Sequence, residues 1–307
     1  MKTRKETFAS SNGLNQFSYV TYSGKEAPKA IIQIAHGMSE HIGRYEEFAR
    51  YFTQHGFLVC GNDHLGHGET ASSPEEFGYF GKQKGWIYMV DDMHRLTIRM
   101  KEIYGEVPYY IMGHSMGSLL ARAYLSCYGK ELSGAILMGT SGRNPILRLA
   151  KPLIKAVVTV KGERHRSKLL YTIAFGDYNK KYDKGTDRLG WMSRDPSALE
   201  CFRNDPKCNF VLTAAGFRDL TEALIFVSRK DWAREVPKEL PLFLLSGQMD
   251  PVGDYGKGVK QVYNNLSSAG VRDLVMKLYP QSRHELIHEP DKNLVFMDIL
   301  HWIEKHL

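Results

Sequence analysis

Ser115 lies at the centre of a short motif that suggests covalent chemistry. Residues 113–117 read Gly-His-Ser-Met-Gly, which matches the G-x-S-x-G pattern of a serine nucleophile on a tight strand-to-helix turn. The glycines two residues before and after the serine have no side chains to collide within such a turn. An apolar run ends at Met112 and helical spacing begins at Met116. We therefore expect the hydroxyl to be raised above the carboxyl edge of a sheet.

A serine hydroxyl becomes nucleophilic beside a base, and the base needs an acid to orient it. Asp250 follows an apolar strand that ends at Gly247, and His284 follows a strand that ends near Tyr279. Such groups collect at the carboxyl ends of the strands in open α/β sheets. The chain order Ser, Asp, His is also the order that the nucleophile-elbow fold requires. We predict that His284 accepts the Ser115 proton and that Asp250 orients His284.

Three other side chains compete for these roles. Asp63 also follows a strand, Asp254 lies four residues beyond Asp250, and His288 lies close to His284. Asp63 precedes the nucleophile in the chain, which is the wrong order for this arrangement. His288 is expected at or near the start of the last helix.

The oxygen that becomes negative during attack on a carbonyl needs two N–H donors. The residue after the nucleophile supplies one, which here is Met116. The loop after the third strand, residues 37–39, supplies the other, and Met38 is the best candidate.

Apolar runs and helical spacings alternate through most of the chain. An opening hairpin is expected over residues 7–22. Strands are predicted at 30–35, 57–60, 109–112, 134–138, 241–247 and 274–279, and helices at 45–55, 86–104, 119–128, 256–269 and 291–306. The second of these helices is inferred from the spacing of Ile87, Val90, Leu96, Ile98 and Ile103. Strands that alternate with helices predict an α/β fold with a mostly parallel central sheet flanked by helices.

The alternation stops after Gly139 and returns at Pro241. The stretch between has apolar content and helical periodicity of its own. We predict a core domain formed by residues 1–140 and 238–307, with residues 141–237 inserted as a mainly helical cap.

The composition is typical of a globular protein, with 43% hydrophobic and 24% charged residues among 307. No apolar run of about 18 residues is present, which excludes a spanning helix. The charged start, residues 1–6, is not followed by an apolar run, so a signal peptide is not expected and a cytoplasmic location is predicted.

Cys60 and Cys127 are predicted as core residues, and neither a disulfide nor a metal site is expected from the cysteine spacing.

The net charge of +7 is unevenly distributed, because 19 basic and 11 acidic residues lie between Arg143 and Glu235. The aromatic residues there show no stacking pattern and no nucleic-acid motif is present, so nucleic acid is not an expected partner. An anionic lipid surface or an acidic headgroup fits better. A merely solvated basic surface is the simpler alternative.

Residues 145–158 form an apolar segment with basic residues at 148, 151 and 155. That spacing places the three on one face of a helix, opposite an apolar face. Pro152 is a position at which the helix could kink or split. One hypothesis is a lid whose apolar residues receive an acyl chain while its basic residues meet phosphate or an anionic surface. The alternative is an ordinary cap helix with its apolar face on the core.

Several motifs in order resemble one enzyme family. Residues 36–41 read His-Gly-Met-Ser-Glu-His, residues 44–45 read Arg-Tyr, and residues 63–68 read Asp-His-Leu-Gly-His-Gly, ahead of the serine motif at 113–117. Together they resemble the monoacylglycerol lipase and lysophospholipase branch of the α/β-hydrolases. The resemblance covers residues ~25–140 and ~238–307, and the predicted cap departs most from it.

The resemblance implies an α/β-hydrolase fold and a serine hydrolase of single-chain acyl esters, with no metal and no organic cofactor. It places the triad on Ser115, Asp250 and His284, and the oxyanion donors on Met38 and Met116. Metal-like pairs at residues 40–41 and 63–64 are expected to brace the neighbouring loops through hydrogen bonds.

The predicted function is hydrolysis of monoacylglycerol or lysophospholipid through an acyl-enzyme on Ser115. A short-chain carboxylesterase or a serine aminopeptidase on the same fold is the alternative, since this scaffold supports many chemistries. An aminopeptidase needs acidic groups for a free amine, and the basic cap argues against that. A non-enzymatic ligand receptor would be expected to lack a triad member, and none is missing.

Overall fold

The computed structural model describes residues 1–143, 147–182, 188–229 and 231–307, with the backbone alone described for residues 147–149. The strands in this part of the chain are β1 (Lys2–Ala9), β2 (Gln16–Ser23), β3 (Ile31–Ala35), β4 (Leu58–Asn62), β5 (Tyr109–His114), β6 (Gly134–Met138), β7 (Leu242–Gly247) and β8 (Leu274–Tyr279). The α-helices are α1 (Glu46–Gln54), α2 (Gly85–Tyr104), α3 (Met116–Tyr128), α4 (Leu147–Lys161), α5 (Lys168–Phe175), α6 (Pro196–Asn204), α7 (Ala214–Val227), α8 (Lys257–Ser268) and α9 (Lys292–Glu304).

The eight strands found among the described residues form a single sheet in the order β1-β2-β4-β3-β5-β6-β7-β8. Strand β2 runs antiparallel to both of its neighbours, β1 and β4. Strands β3 to β8 run parallel to one another. The predicted mostly parallel α/β sheet is therefore confirmed. Parallel strands end at one edge, so the loops after β3, β5, β6, β7 and β8 meet there.

Both faces of the sheet are covered, which explains why its inner strands read as continuous apolar runs. One face, with Ile111 and Leu137 of β5 and β6, packs under α2, α3 and α8. The other face, with Met112 and Ile136, packs under α1 and α9. Neighbouring residues on one strand thus point into two separate cores.

The predicted helix at 86–104 is confirmed as α2, and two of the five residues that indicated it, Val90 and Leu96, are buried. The buried stripe follows helical spacing through Met89, Met93, Leu96 and Met100. Three of the isoleucines that indicated the helix are instead exposed: Ile87, Ile98 and Ile103.

The cysteines are free thiols in this structure. Cys60 is buried in β4, as predicted. The prediction for Cys127 was wrong, because it is exposed in the last turn of α3. The buried part of that helix ends at Leu125, one turn before the helix itself.

The β6–β7 segment, residues 141–237, contains α4 to α7. Helix α4 continues through Pro152 without a break. Its described residues that are buried or half-buried pack on the core: Ala150, Leu153, Ile154, Val157 and Val158. Pro145, Ile146 and the side chain of Arg148 lie outside the described residues. Within the described part of α4, the apolar face thus covers the core, as the simpler alternative predicted. No helix among the described residues combines the length and apolarity needed to cross a bilayer.

Candidate active site

Ser115 occupies the sharp turn between β5 and α3. Its backbone is in the left-handed region, with φ 53° and ψ −119°, which costs a non-glycine residue conformational energy. Its N–H donates to the Met138 carbonyl at 3.0 Å, which holds the turn in place. A Cβ on Gly117 would collide with the Ala35 carbonyl, and one on Gly113 would collide with the Gly117 carbonyl. The two glycines therefore permit the close packing that the motif predicted.

The three predicted triad residues come together at the carboxyl edge of the sheet. His284 Nε2 lies 2.8 Å from Ser115 Oγ, and His284 Nδ1 lies 2.9 Å from Asp250 Oδ2. The other oxygen of the fully buried Asp250 accepts the Val252 N–H at 2.8 Å. A proton on Nδ1 donated to Asp250 leaves Nε2 ready to accept the Ser115 proton, which is the geometry of an activated serine.

The competing side chains take other positions. Asp63 accepts the N–H groups of Ile42 and Glu69, at 2.9 and 2.7 Å, so it braces two loops. Asp254 is exposed. His288 is half-buried, and desolvation, followed by the charge of Arg44, lowers its pKa to about 4. Neither Asp63 nor His288 contacts Ser115 Oγ among the bonds of the described residues.

Met38 and Met116 both line the cavity beside Ser115, where two oxyanion donors would be required. The loop that carries Met38 is fixed on both sides. The N–H of Gly37 donates to Glu40 at 2.5 Å. Ser39 Oγ donates to the Phe210 carbonyl at 2.7 Å, so the β6–β7 segment also holds this loop.

A buried ionic group lies behind this loop. Arg44 donates two bonds to Glu285, at 2.7 and 2.8 Å, and one to Glu40 at 2.8 Å. Burial alone would raise the pKa of both carboxyls. At Glu40, the bond from His114 and the charge of Arg44 outweigh burial. At Glu285, the charge and bonds of Arg44 do so. The pKa values of both carboxyls therefore lie below the ordinary range. Both carboxylates are therefore ionised and already paired.

His114 links this group to the predicted base. Its Nδ1 lies 3.2 Å from Glu40, and its Nε2 lies 3.3 Å from the backbone carbonyl of His284. Burial opposes its charge, but the bond to Glu40 raises its pKa above the ordinary value. Sequence reasoning did not give roles to His114, Arg44 and Glu285, although all three lie within or beside motifs that it used.

The β6–β7 segment also holds the loop that carries His284. The indole of Trp191 lies against the imidazole of His284, with ring centroids 5.1 Å apart. The N–H of Glu285 donates to the Met192 carbonyl at 2.8 Å. A displacement of this part of the segment would therefore move the imidazole.

A cavity of about 630 Å³ opens above Ser115. Its apolar wall includes Tyr171 and Phe175 of α5 and Leu220 and Leu224 of α7. The described side chains of α4 do not line the cavity. The expectation that the 145–158 segment receives an acyl chain is thus wrong for the part of that segment that is described, because its apolar face packs on the core.

One group of metal-type ligands occurs in the described part of the chain. The ligand atoms of His41, Asp205 and Cys208 lie within 4.8 Å of one another. His41 Nε2 is bonded to Asp205 at 2.8 Å, which ties the loop after β3 to the β6–β7 segment. Burial raises the pKa of the Cys208 thiol, which disfavours the thiolate that a metal would need. The geometry thus supports the bracing role expected for residues 40–41.

The sheet and the site at its carboxyl edge define an α/β-hydrolase. The chain belongs to the family described as serine aminopeptidase, S33, whose pattern matches residues 26–291.

Relatives within this class are named for ester hydrolysis. A monoacylglycerol lipase of Mycolicibacterium smegmatis is 28% identical over 99% of both chains. A monoglyceride lipase of Rattus norvegicus is 27% identical over 91% of this chain and 84% of its own. Among solved structures, a carboxyl esterase of Bacillus coagulans in complex with glycerol superposes with a TM-score of 0.91, at 33% identity and 99% coverage of both chains. Together these relatives identify the chain as an ester hydrolase.

Proposed function

We propose that the protein hydrolyses carboxylic esters of single-chain lipids, monoacylglycerol or lysophospholipid, through an acyl-enzyme on Ser115. One observation carries the proposal: His284 is bonded to Ser115 at 2.8 Å and to Asp250 at 2.9 Å, beside a largely apolar cavity. The relatives named monoacylglycerol lipase support the same substrate class.

In this mechanism Ser115 Oγ attacks the ester carbonyl carbon and passes its proton to His284 Nε2. The N–H groups of Met38 and Met116 bind the resulting oxyanion. His284 then protonates the departing alcohol oxygen, which leaves an acyl-serine. A water molecule gives a proton to His284 as it attacks the acyl carbon, and the fatty acid departs as Ser115 regains its proton.

A serine aminopeptidase remains the alternative that the family description raises. A free substrate amine requires an unpaired carboxylate in the site. Among the described residues that line the cavity, Glu40 and Glu285 are both bonded to Arg44. The remaining carboxylate in the cavity lining is that of Asp254, which is exposed and lies near Lys257, another lining residue. This arrangement favours an uncharged or anionic substrate over an amine.

We also propose the division of the chain predicted from its sequence, with residues 141–237 as a cap on a core of residues 1–140 and 238–307. Support comes from the cavity, whose lining combines Ser115 and His284 at the sheet edge with apolar residues of α5 and α7. Location in the cytoplasm stays a prediction.

Chain-length preference tests the substrate proposal. A long-chain monoacylglycerol should be hydrolysed with a kcat/KM at least about tenfold above that of 1-butanoylglycerol, the short-chain ester of the same alcohol. The reason is that each buried methylene contributes about 0.8 kcal/mol. Leu224→Trp should reduce this preference by filling the apolar wall, while Met297→Trp, on the exposed face of α9, should preserve it. Turnover of the short ester alone, or of aminoacyl substrates, would favour the alternatives.

We further propose that the cap makes peripheral contact with an anionic membrane. Among the described side chains of α4 and α5, three large apolar ones are exposed: Val160, Leu169 and Ile173. Lys151 and Lys155 are exposed on α4 and, among the described residues, form no ion pair. Exposed apolar and basic groups together are typical of helices that lie at a membrane interface.

Binding to vesicles tests this contact. Lys151→Gln combined with Lys155→Gln should weaken binding to phosphatidylglycerol-containing vesicles by about 30-fold, because each basic residue near the surface contributes about 1 kcal/mol. The matched control, Lys25→Gln with Lys29→Gln, removes the same charge from the loop between β2 and β3 and should bind as the wild type does. Equal binding by both variants would contradict the proposal.

A further inference from the structure

Two cationic side chains belong to the lining of the cavity that contains Ser115. Arg143 lies in the loop after β6, and Lys257 is the first residue of α8. Both side chains line the cavity, and both are exposed at its mouth. Among the described residues neither forms an ion pair. Arg44, by contrast, is paired with the carboxylates of Glu40 and Glu285.

The backbone brings the two cations together. A Cβ on Gly142 would lie 2.6 Å from the Cα of Gly258, so the loop after β6 and the first turn of α8 are in direct contact. Arg143 follows the first of these glycines and Lys257 precedes the second. The Arg143 N–H also donates to Gln261 Oε1 at 2.6 Å, which fixes the loop on the helix.

Both segments begin at the proposed triad. A Cβ on Gly139 would lie 3.1 Å from the His284 ring, and Arg143 is four residues further on, within about 14 Å of extended chain. The loop to α8 begins at Asp250 itself and passes Asp254 before reaching Lys257. Both cations therefore lie on segments that start beside the reacting ester.

We propose that Arg143 and Lys257 form a subsite for a phosphate in the alcohol part of the substrate, which makes lysophospholipids the preferred substrate class. This inference rests on the proposed function, because it places the ester at Ser115 and the acyl chain along the apolar wall. A glycerol linker then carries the phosphate toward the two cations. Gln261, which also lines the cavity, offers an amide to the same headgroup, and Asp254 offers a carboxylate to its hydroxyl groups.

The test compares two monomeric substrates with the same acyl chain, octanoyl lysophosphatidylglycerol and 1-octanoylglycerol, below their micellar concentrations. The readout is the ratio of their kcat/KM values. The wild type should favour the phosphate-bearing ester. Arg143→Gln and Lys257→Gln should each lower the ratio about threefold, and the double variant about tenfold, as expected for partly exposed ion pairs. Added salt should lower the wild-type ratio.

Lys260→Gln is the matched control, because Lys260 is an exposed lysine on the same helix that does not line the cavity. It should keep the wild-type ratio. Hydrolysis of both esters with a ratio that the double variant does not change would overturn the subsite while leaving the esterase intact. An effect seen with vesicles but not with monomers would assign the cations to a membrane surface and also overturn it. Failure of the wild type to hydrolyse either ester would count against the proposed function itself.

Discussion

Ser115→Ala is expected to lower kcat by between about 10⁴- and 10⁶-fold while leaving the fold intact. The large loss follows because the hydroxyl is the attacking atom, and neither base nor oxyanion donors can replace it. Among the described residues, the one side-chain bond that is removed joins Ser115 Oγ to His284 Nε2, at 2.8 Å. Steady-state hydrolysis of a long-chain ester and thermal unfolding of the same preparations measure the two effects.

Ser126→Ala provides a matched control for this variant. Ser126 is also on the nucleophile helix α3, and its hydroxyl is bonded to the Arg122 and Trp232 carbonyls, away from His284. It should retain activity within about tenfold of the wild type. A Ser115→Ala enzyme that retained comparable activity would show that another group performs the attack.

Arg44→Met is expected to destabilise the protein by about 3–5 kcal/mol, the usual cost of removing one partner from a buried ion group. The variant leaves Glu40 and Glu285 buried without their cation, after the loss of bonds at 2.7 to 2.8 Å. Urea unfolding at neutral pH measures the loss. The matched control is Arg50→Met, because Arg50 pairs with Glu46 on the exposed face of α1 at the same 2.8 Å. That change should cost no more than about 1 kcal/mol.

The destabilisation by Arg44→Met should depend on pH. In the wild type the pKa values of Glu40 and Glu285 are lowered. Such carboxyls stabilise the fold above their unfolded pKa, and this contribution is lost as the pH falls through the lowered folded pKa. Without Arg44 both pKa values rise, so each carboxyl takes up a proton at a higher pH. The deficit relative to the wild type should therefore be largest at neutral pH and shrink in acid. A deficit that grew as the pH fell would contradict this assignment of charge.

The triad was predictable from sequence because its signals are local. Each of Ser115, Asp250 and His284 directly follows a strand that can be recognised from its own residues, and parallel strands bring such positions to one edge. The geometry that joins them therefore follows from element order alone. Their roles in catalysis remain proposals that the experiments above address.

The ionic group behind the site was not predictable in the same way. Arg44 and Glu285 are 241 positions apart, and nothing in either local sequence shows that the other will be its partner. The wall of the cavity is a similar case. Helix α4 is amphipathic by its own sequence, yet α5 and α7 line the cavity, because packing between helices decides which of them faces the site.

The buried face of α2 illustrates a smaller limit. Both the isoleucines and the methionines of this helix are apolar and lie at helical spacings. The sheet below selects the stripe through Met89 and Met93 and leaves Ile87 and Ile98 exposed. Hydrophobic spacing indicates that a helix is present, while the neighbouring elements determine its rotation.

The central claim, that Ser115 forms the covalent intermediate, is tested most directly by labelling with a long-chain alkyl fluorophosphonate. This reagent forms a stable bond to an activated serine and mimics the tetrahedral intermediate. Mass spectrometry of the digested protein should show one adduct, on the peptide that contains Ser115. Long-chain monoacylglycerol should slow its formation, and Ser115→Ala should abolish it. Equal labelling of the Ser115→Ala variant, or an adduct on another residue of the wild type, would contradict the account.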